Sequence, residues 1–353
     1  MLRIGIIGAG SLSSRHINAY KKDKRCTVTA IADINPEQLN KTADEFGIEK
    51  RYSGYRELLD DADIDAVSII TPTFTHKEIC LYAIEKGKHV LCEKPPAMNA
   101  EEVKEVVEAL RGTDKVFMYA MVCRFFEKYK YVKNFIDSGK MGRPICAETV
   151  RTGKMTAFRG WFARSEFGGG MLRDEAIHEI DLVLYALGYP RAVSVTAFRS
   201  DINNSLPSKM KSGVSGGYVS ADRNKYENNT EDIINAFVML DNGTNLTIKT
   251  GPIRLAEEGE CRLSINGERA GIAMSVFGDT PVKVTEVTED GYLQVSSPIL
   301  TSNNAHNDEI VHFVDCCSGV EECIVKPCEA LKLMELVDAI YESAKTGKTV
   351  TIK

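Results

Sequence analysis

The first 120 residues alternate short runs of apolar side chains with stretches that have the spacing of helices. The apolar runs are residues 3–8, 28–32, 66–70, 89–92 and 116–119. A strand that is apolar throughout needs cover on both faces of its sheet, and the intervening helices supply that cover. This alternation predicts an α/β fold with a doubly wound parallel sheet that ends near residue 122.

The remaining residues have a different pattern. A helix is expected at 128–138, and segments with strand-like alternation follow at 145–151, 192–199, 233–240, 245–250, 262–266 and 282–287. Turn residues separate these segments, which favours an open and mostly antiparallel sheet. Residues 201–230 are typical of a long loop, and two helices at about 305–317 and 328–345 are expected to close the chain. Because 353 residues exceed one compact core, we expect two domains, 1–122 and 123–353.

Charge and hydropathy exclude two classes of partner. The net charge is −6, from 44 basic and 50 acidic residues, and no basic stretch predicts a nucleic-acid surface. The apolar runs are far shorter than the ~18 residues needed to cross a membrane. Gly8 and Gly10 end the first run at once, which indicates a strand and not a signal peptide.

The cysteines and most histidines are predicted to have structural roles only. The ten cysteines lack CxxC spacing and a nearby histidine pair, so we expect reduced thiols in a cytoplasmic protein and no metal. His16 is expected on a solvated helix face. His306 and His312 show no spacing that is typical of ligands.

A glycine-rich turn follows the first strand. The sequence Gly8-Ala9-Gly10-Ser11-Leu12 opens a helix, where free N–H groups and the helix dipole can hold a pyrophosphate. Asp33 ends the second strand, where a carboxylate can accept a hydrogen bond from a ribose 2′-hydroxyl. With no nearby arginine for a 2′-phosphate, NAD is favoured over NADP. The alternative for Asp33 is a turn residue before Pro36.

Two further segments follow strands of the same sheet, at the edge where ligands bind. Thr71-Pro72 and His76 could line the nicotinamide side, or form a proline turn followed by a surface histidine. Glu93 and Lys94 come directly after a buried strand and before two prolines. Placing a charged pair next to a buried strand costs free energy, which indicates a functional role. We therefore predict that the pair contacts the cofactor and that Lys94 polarises a substrate oxygen.

A triglycine precedes the third candidate cluster. After Gly168-Gly169-Gly170, Asp174 and His178 are four residues apart, which places them on one face of a predicted helix. An imidazole beside a carboxylate suits general acid–base chemistry near neutral pH. Asp181 is expected to support the helix.

These clusters, in this order, resemble the Gfo/Idh/MocA oxidoreductase family, named for glucose–fructose oxidoreductase and inositol dehydrogenase. The matching segments span nearly the whole chain and are Glu93-Lys94-Pro95, Gly168–His178, Arg124-Phe125, residues 139–142, Glu231-Asp232, Asn242-Gly243, residues 313–315 and residues 343–348. The resemblance implies an N-terminal Rossmann domain and a C-terminal domain whose open sheet forms a homodimer or homotetramer contact. It also implies that Lys94, Asp174 and His178 are the catalytic residues.

The favoured activity is NAD-dependent oxidation of a secondary hydroxyl group of a sugar or cyclitol. Substrate contacts are expected from the three catalytic residues together with Arg124 and Trp161. Two alternatives stay open at this point: an NAD-dependent glycosidase of the same fold, and a non-catalytic regulator that binds NAD and a sugar.

Overall fold

The chain forms two compact units. The structure is a computed structural model that describes residues 1–61, 63–153, 163–201, 229–251, 259–276 and 281–352. The first unit contains Met1–Phe126 and Asn303–Leu331, and the second contains Glu127–Ser302 and Lys332–Lys353. Within the described ranges, no helix has the length and apolar character that crossing a bilayer requires.

The first unit is built on a six-stranded parallel sheet, as the apolar runs predicted. The strands are β1 (Leu2–Ile7), β2 (Cys26–Ala32), β3 (Lys50–Tyr52), β4 (Ala66–Ile69), β5 (His89–Glu93) and β6 (Phe117–Ala120). Their order is β3-β2-β1-β4-β5-β6. The order reverses between β1 and β4, and ligands bind at such a point, beyond the carboxyl ends of the strands. The short β3 was not predicted.

Local capping explains where the helices of this unit begin and end. The helices are α1 (Ser13–Lys22), α2 (Pro36–Phe46), α3 (Tyr55–Asp61), α4 (His76–Glu85) and α5 (Ala100–Ala109). The Asn35 side chain accepts hydrogen bonds from the first free N–H groups of α2, and Gly47 ends that helix with a positive φ of 69°. Asn99 caps α5 in the same way. The short α3 was not predicted.

The second unit contains a nine-stranded mixed sheet. Two helices of this unit are α6 (Glu127–Asp137) and α7 (Ile177–Ala186). The strands are β7 (Pro144–Thr152), β8 (Ala192–Ser200), β9 (Ile233–Leu240), β10 (Asn245–Gly251), β11 (Cys261–Gly267), β12 (Ala270–Ser275), β13 (Lys283–Val287), β14 (Leu293–Ser296) and β15 (Val350–Thr351). The order is β14-β13-β12-β11-β7-β10-β9-β8-β15. The β7–β10 pair is parallel and the other pairs are antiparallel, so the prediction of a mostly antiparallel sheet is confirmed.

Among the described residues, one face of this sheet carries exposed side chains. Along β9 every second residue is buried, while Phe237 and Met239 on the other face are 50% and 40% exposed. This alternation is the reason that the segment was recognisable as a strand.

A segment near the C-terminal end of the sequence, Asn303–Leu331, belongs to the first unit. Helix α8 (Ala305–Cys317) packs against α1 and the short turn Val122–Phe125, and it buries Ile310 and Phe313 there. Helix α9 (Pro327–Thr346) begins in the first unit and continues in the second. The sequence assigned all of 303–331 to the second domain, because local periodicity does not reveal which unit a helix packs against.

Candidate functional site

The turn after β1 leaves room beside a glycine. Gly8 has a positive φ of 102°, and a Cβ atom there would clash with the carbonyl oxygen of Ile70. At Gly10 a Cβ atom would meet no heavy atom within 4 Å. The first glycine is therefore required by the turn itself, whereas the second leaves open space in front of the backbone, as approach of a ligand requires.

The start of α1 completes this turn. Ser11 and Leu12 connect the glycines to the helix, and the Leu12 position at its N-terminus has no side-chain cap. The Ser13 hydroxyl donates to the carbonyl oxygen of Gly10 at 2.6 Å and so closes the loop. A helix start of this kind offers N–H groups and a positive dipole to an anionic group.

Asp33 lies at the end of β2, as predicted, and its carboxylate holds the glycine turn. Its Oδ2 accepts the N–H of Ala9 at 2.7 Å and its Oδ1 accepts the N–H of Asn35 at 2.7 Å. Each carboxylate oxygen keeps further lone pairs for a ribose hydroxyl. The open space at Gly10, the uncapped helix start and this carboxylate together fit a dinucleotide.

His76 joins two strand ends and does not lie on the surface. Its ring nitrogens lie 2.8 Å from the carbonyl oxygens of Thr71 and Pro95, and complete burial lowers the pKa of His76. Thr71 and Pro72 are half-buried in the segment after β4. The ring therefore fixes the loop after β4 to the loop after β5. The predicted contacts of these residues with a cofactor stay predictions.

Glu93 is the last residue of β5 and Lys94 follows it, and the Glu93 carboxylate is buried against His16. Its Oε1 lies 2.9 Å from Nε2 of His16, and its Oε2 accepts the N–H of Lys94 at 3.1 Å. The prediction of a solvated His16 was wrong: the ring is 2% exposed, because α1 packs with this side against the sheet. Lys94 itself is half-buried, and the Lys94–Pro95 peptide bond is cis.

The charge of Glu93 is preserved in this setting. Burial by itself would raise the pKa of Glu93, but the hydrogen bond and charge of His16, with the N–H of Lys94, hold the pKa below its usual range. The strand end that carries Lys94 therefore keeps a fixed negative charge next to it.

In the second unit, Glu231 fits against the triglycine turn. Gly170 has a φ of 117°, and a Cβ atom there would lie 2.7 Å from Oε2 of Glu231. The other carboxylate oxygen of Glu231 accepts the N–H of Leu172 at 2.8 Å and the hydroxyl of Tyr341 at 3.1 Å. Burial raises the pKa of Glu231. This supporting role was not predicted, although Glu231 belongs to the segments that carried the family resemblance.

Asp174 and His178 lie on two consecutive helical segments. Asp174 belongs to the π-helical segment Met171–Ala176, and His178 belongs to the first turn of α7. Both are buried, with 1% and 7% of their surface exposed. The sequence predicted the helix but not its π-helical start, and such segments are frequent at functional sites.

Buried polar contacts fix these two helical segments. Arg151 on β7 forms ion pairs with Glu175 and, at 3.2 Å, with Glu179. The hydroxyl of Tyr189 donates to Asp181 at 2.7 Å, which agrees with the supporting role expected for Asp181. The segment that carries Asp174 and His178 is thus held by contacts at Glu175, Glu179 and Asp181.

Of the two remaining residues predicted to contact substrate, the structure describes Arg124 but not Trp161. Arg124 is 1% exposed, and its guanidinium donates to the carbonyl oxygen of Ile324 at 2.8 Å and to Glu329 at 2.7 Å. In the structure Arg124 fixes the start of α9. Its contact with a substrate stays a prediction. Trp161 lies outside the described residues, as do residues 202–228 of the predicted loop.

His312 lies beside two thiols, although its sequence spacing gave no indication of ligands. Its Nε2 is 3.4 Å from Sγ of Cys316, and the ligand atoms of His312, Cys316 and Cys323 all lie within 4.8 Å of one another. The spacing of four between His312 and Cys316 on one helix was the available signal. The position of Cys323 depends on the loop after α8.

Comparison with known proteins gives a consistent result. The Gfo/Idh/MocA family model described as an oxidoreductase family with an NAD-binding Rossmann fold matches residues 2–121, and the model of the C-terminal alpha/beta domain matches residues 133–352. D-glucoside 3-dehydrogenase of Escherichia coli K12 is 27% identical over 99% of this chain and 97% of its own length. Inositol 2-dehydrogenase of Rhizobium meliloti 1021 is 26% identical over 99% of both chains. The solved structure of levoglucosan dehydrogenase with NADH and L-sorbose has a TM-score of 0.84 at 22% identity, covering 100% of this chain and 99% of that one.

Proposed function

Because this chain belongs to the Gfo/Idh/MocA oxidoreductase family, we propose that it is an NAD-dependent dehydrogenase that oxidises a secondary hydroxyl group of a sugar or cyclitol. The relatives that align with it over nearly its whole length are glucoside and inositol dehydrogenases. The observation that carries the proposal is the buried Asp174–His178 segment, which follows a triglycine turn that Glu231 holds in place.

The first unit supplies the groups that would hold the cofactor. These are the N–H groups of Gly10, Ser11 and Leu12, the carboxylate of Asp33 and the segment at Thr71 and Pro72. When bound, NAD supplies the acceptor for the hydride that leaves the substrate carbon. The segment after Asp33 offers Ile34, Asn35 and Pro36, and none of these residues could neutralise a 2′-phosphate.

The catalytic roles follow from the chemistry of the side chains. Oxidation of an alcohol requires loss of the hydroxyl proton, and we assign its acceptance to the imidazole of His178. Lys94 would donate a hydrogen bond to the same oxygen and stabilise the negative charge that develops on it. Asp174 would orient the imidazole or a substrate hydroxyl. The support for these roles is the family's sequence pattern and the fixed surroundings of each residue within its own unit.

A screen of sugars and inositols tests the proposal. With NAD present, a substrate or close analogue should raise the melting temperature of the protein, because a ligand that binds the folded state stabilises it by mass action. Compounds that pass this screen should then produce NADH in stoichiometric amounts.

Two outcomes, the first from a parallel assay with aryl glycosides, would contradict the proposal. Release of an aglycone from an aryl glycoside without net NADH would indicate a glycosidase. Tight NAD binding with no turnover of any sugar or cyclitol would indicate a regulator.

We also propose that the protein is a cytoplasmic homodimer or homotetramer. The open sheet face carries Phe198, Phe237 and Met239, of which 40% or more is exposed in each case. Exposed large apolar side chains on a sheet face support contact between copies. The ten cysteines all lie among the described residues and no disulfide joins them, which supports a reducing compartment.

A further inference from the structure

A cluster of two thiols and an imidazole lies at the end of α8, within the first unit. We propose that His312, Cys316 and Cys323 bind a zinc ion. Their ligand atoms all lie within 4.8 Å of one another, and among the described residues no other cluster of three or more histidine, cysteine or acidic side chains comes so close together. None of the three residues belongs to the proposed catalytic or cofactor-binding groups, so the inference is independent of the proposed function.

The backbone brings the three side chains to one place. His312 and Cys316 are four residues apart on α8, so they share a face of that helix. The chain then turns at Ser318–Glu322 and returns Cys323 to the same face. His312 and Cys316 are buried, while Cys323 is half-buried and gives a metal ion access from solvent.

The hydrogen bonds of His312 prepare Nε2 for a metal. The N–H of Ile324 points at Nε2 from 3.1 Å, and because an N–H can only donate, Nε2 must carry the lone pair. The proton is therefore on Nδ1, which lies 2.8 Å from Oε2 of Glu321. Metal-binding histidines almost always donate their other ring N–H to a carboxylate or a carbonyl group, which fixes the tautomer in this way.

The distance between one pair of ligand atoms agrees with zinc coordination. With Zn–S bonds of about 2.3 Å and Zn–N bonds of about 2.0 Å in a tetrahedron, the sulfur and nitrogen atoms are roughly 3.5 Å apart. Cys316 Sγ and His312 Nε2 are 3.4 Å apart. Binding would replace the hydrogen bond from Ile324 and would require both thiols to lose their protons.

The choice of metal follows from the donors. Two sulfur atoms and one imidazole suit zinc, whereas magnesium and calcium select oxygen ligands. Three protein ligands leave the fourth position for water. The ion would join α8 to the loop that precedes α9, and so stabilise the part of the first unit that lies after residue 302.

A zinc titration of the intact, reduced protein tests the inference. After removal of metal with a chelator, the protein competes with a chromophoric chelator for zinc, and cobalt replaces zinc in a parallel sample. We expect one equivalent of zinc to bind and the cobalt spectrum to show thiolate ligation in a tetrahedral site. Zinc should also raise the melting temperature of the wild-type protein. If the wild-type protein does not bind one equivalent of zinc, the inference is wrong, and no variant is needed to show this.

Variants identify the ligands. Cys316→Ser and Cys323→Ser should each weaken zinc binding at least ~100-fold, and Glu321→Gln should weaken it about tenfold. Cys146→Ser, which removes a half-buried thiol on β7, serves as the matched control and should bind zinc like the wild-type protein. Equal loss in Cys146→Ser and Cys323→Ser would contradict the assignment.

Discussion

His16 on α1 and Glu93 at the end of β5 form a buried pair, with 2.9 Å between Nε2 and Oε1. Glu93 also accepts the N–H of Lys94. The helix that follows the glycine turn and the strand end that carries the candidate catalytic lysine are therefore joined through one carboxylate.

Glu93→Gln should destabilise the protein. The substitution removes a charge-assisted hydrogen bond from a buried position, which costs about 2 kcal/mol and lowers Tm by roughly 4 to 8 °C. Thermal unfolding followed by circular dichroism measures the change. Glu78→Gln is the matched control, because Glu78 pairs with Arg56 where both side chains are more than half exposed, so its Tm should change little. Equal shifts in the two variants would contradict a special role for the buried pair.

The contribution of Glu93 should depend on pH. Its pKa in the folded protein is lowered, so the stability it provides is complete above the pKa of about 4.3 that glutamate has in an unfolded chain. That stability is lost as the pH falls through the folded pKa. The difference in Tm between wild type and Glu93→Gln should therefore be present in full at about pH 5 and shrink below about 4. A difference that grows in acid would mean that burial, and not His16, dominates.

Much of the fold could be predicted because its strands are locally distinctive. The apolar strands of the first unit are short uniform runs between helical stretches, and β9 alternates buried and exposed residues. The short β3, β14 and β15 have too few residues to show a period. The placement of α8 could not be predicted, since its partner α1 lies almost three hundred residues earlier in the chain.

The positions of the candidate site residues in the fold could be predicted where they follow a strand end or a glycine turn. Asp33 and Lys94 are examples, because each directly follows a strand. His16, by contrast, looked like a surface residue from its helix alone, and its burial depends on a carboxylate 77 residues away. The π-helical segment before His178 packs against Glu231, and no local sequence pattern predicts that contact.

Lys94→Ala should lower kcat by at least ~100-fold on a confirmed substrate, because it removes the proposed donor to the reacting oxygen. NAD should still bind, which calorimetry can measure. Lys104→Ala is the control, since Lys104 is a half-exposed lysine of α5 with one weak neighbour, Glu101 at 3.7 Å. Unchanged turnover in Lys94→Ala would remove this residue from the catalytic set.

Gly170→Ala should impair both folding and activity. The new Cβ atom would combine a positive φ with a contact of 2.7 Å to Glu231, so either the turn before Asp174 or the hydrogen-bonded carboxylate of Glu231 must shift. Gly188→Ala separates the two effects, because Gly188 also has a positive φ of 79° but open space at the Cβ position. Strain alone costs about 1 kcal/mol, so Gly188→Ala should lower Tm by only a few degrees and keep its activity. If Gly170→Ala has no larger effect than Gly188→Ala, the fit of Glu231 against the turn does not matter.

Phe237→Asp should disrupt the proposed assembly. Phe237 lies on the open face of the sheet between Thr196 and Thr247, so in a monomer the aspartate would remain in water at little cost. In an interface between copies the same carboxylate would lose its water without gaining a partner, which should weaken association at least ~100-fold. Light scattering after size-exclusion chromatography should show a dimer or tetramer for the wild-type protein and a monomer for the variant. Ile299→Asp, at a fully exposed position of the same unit, should leave the mass unchanged. A wild-type monomer, or a variant with wild-type mass, would exclude this face as the contact.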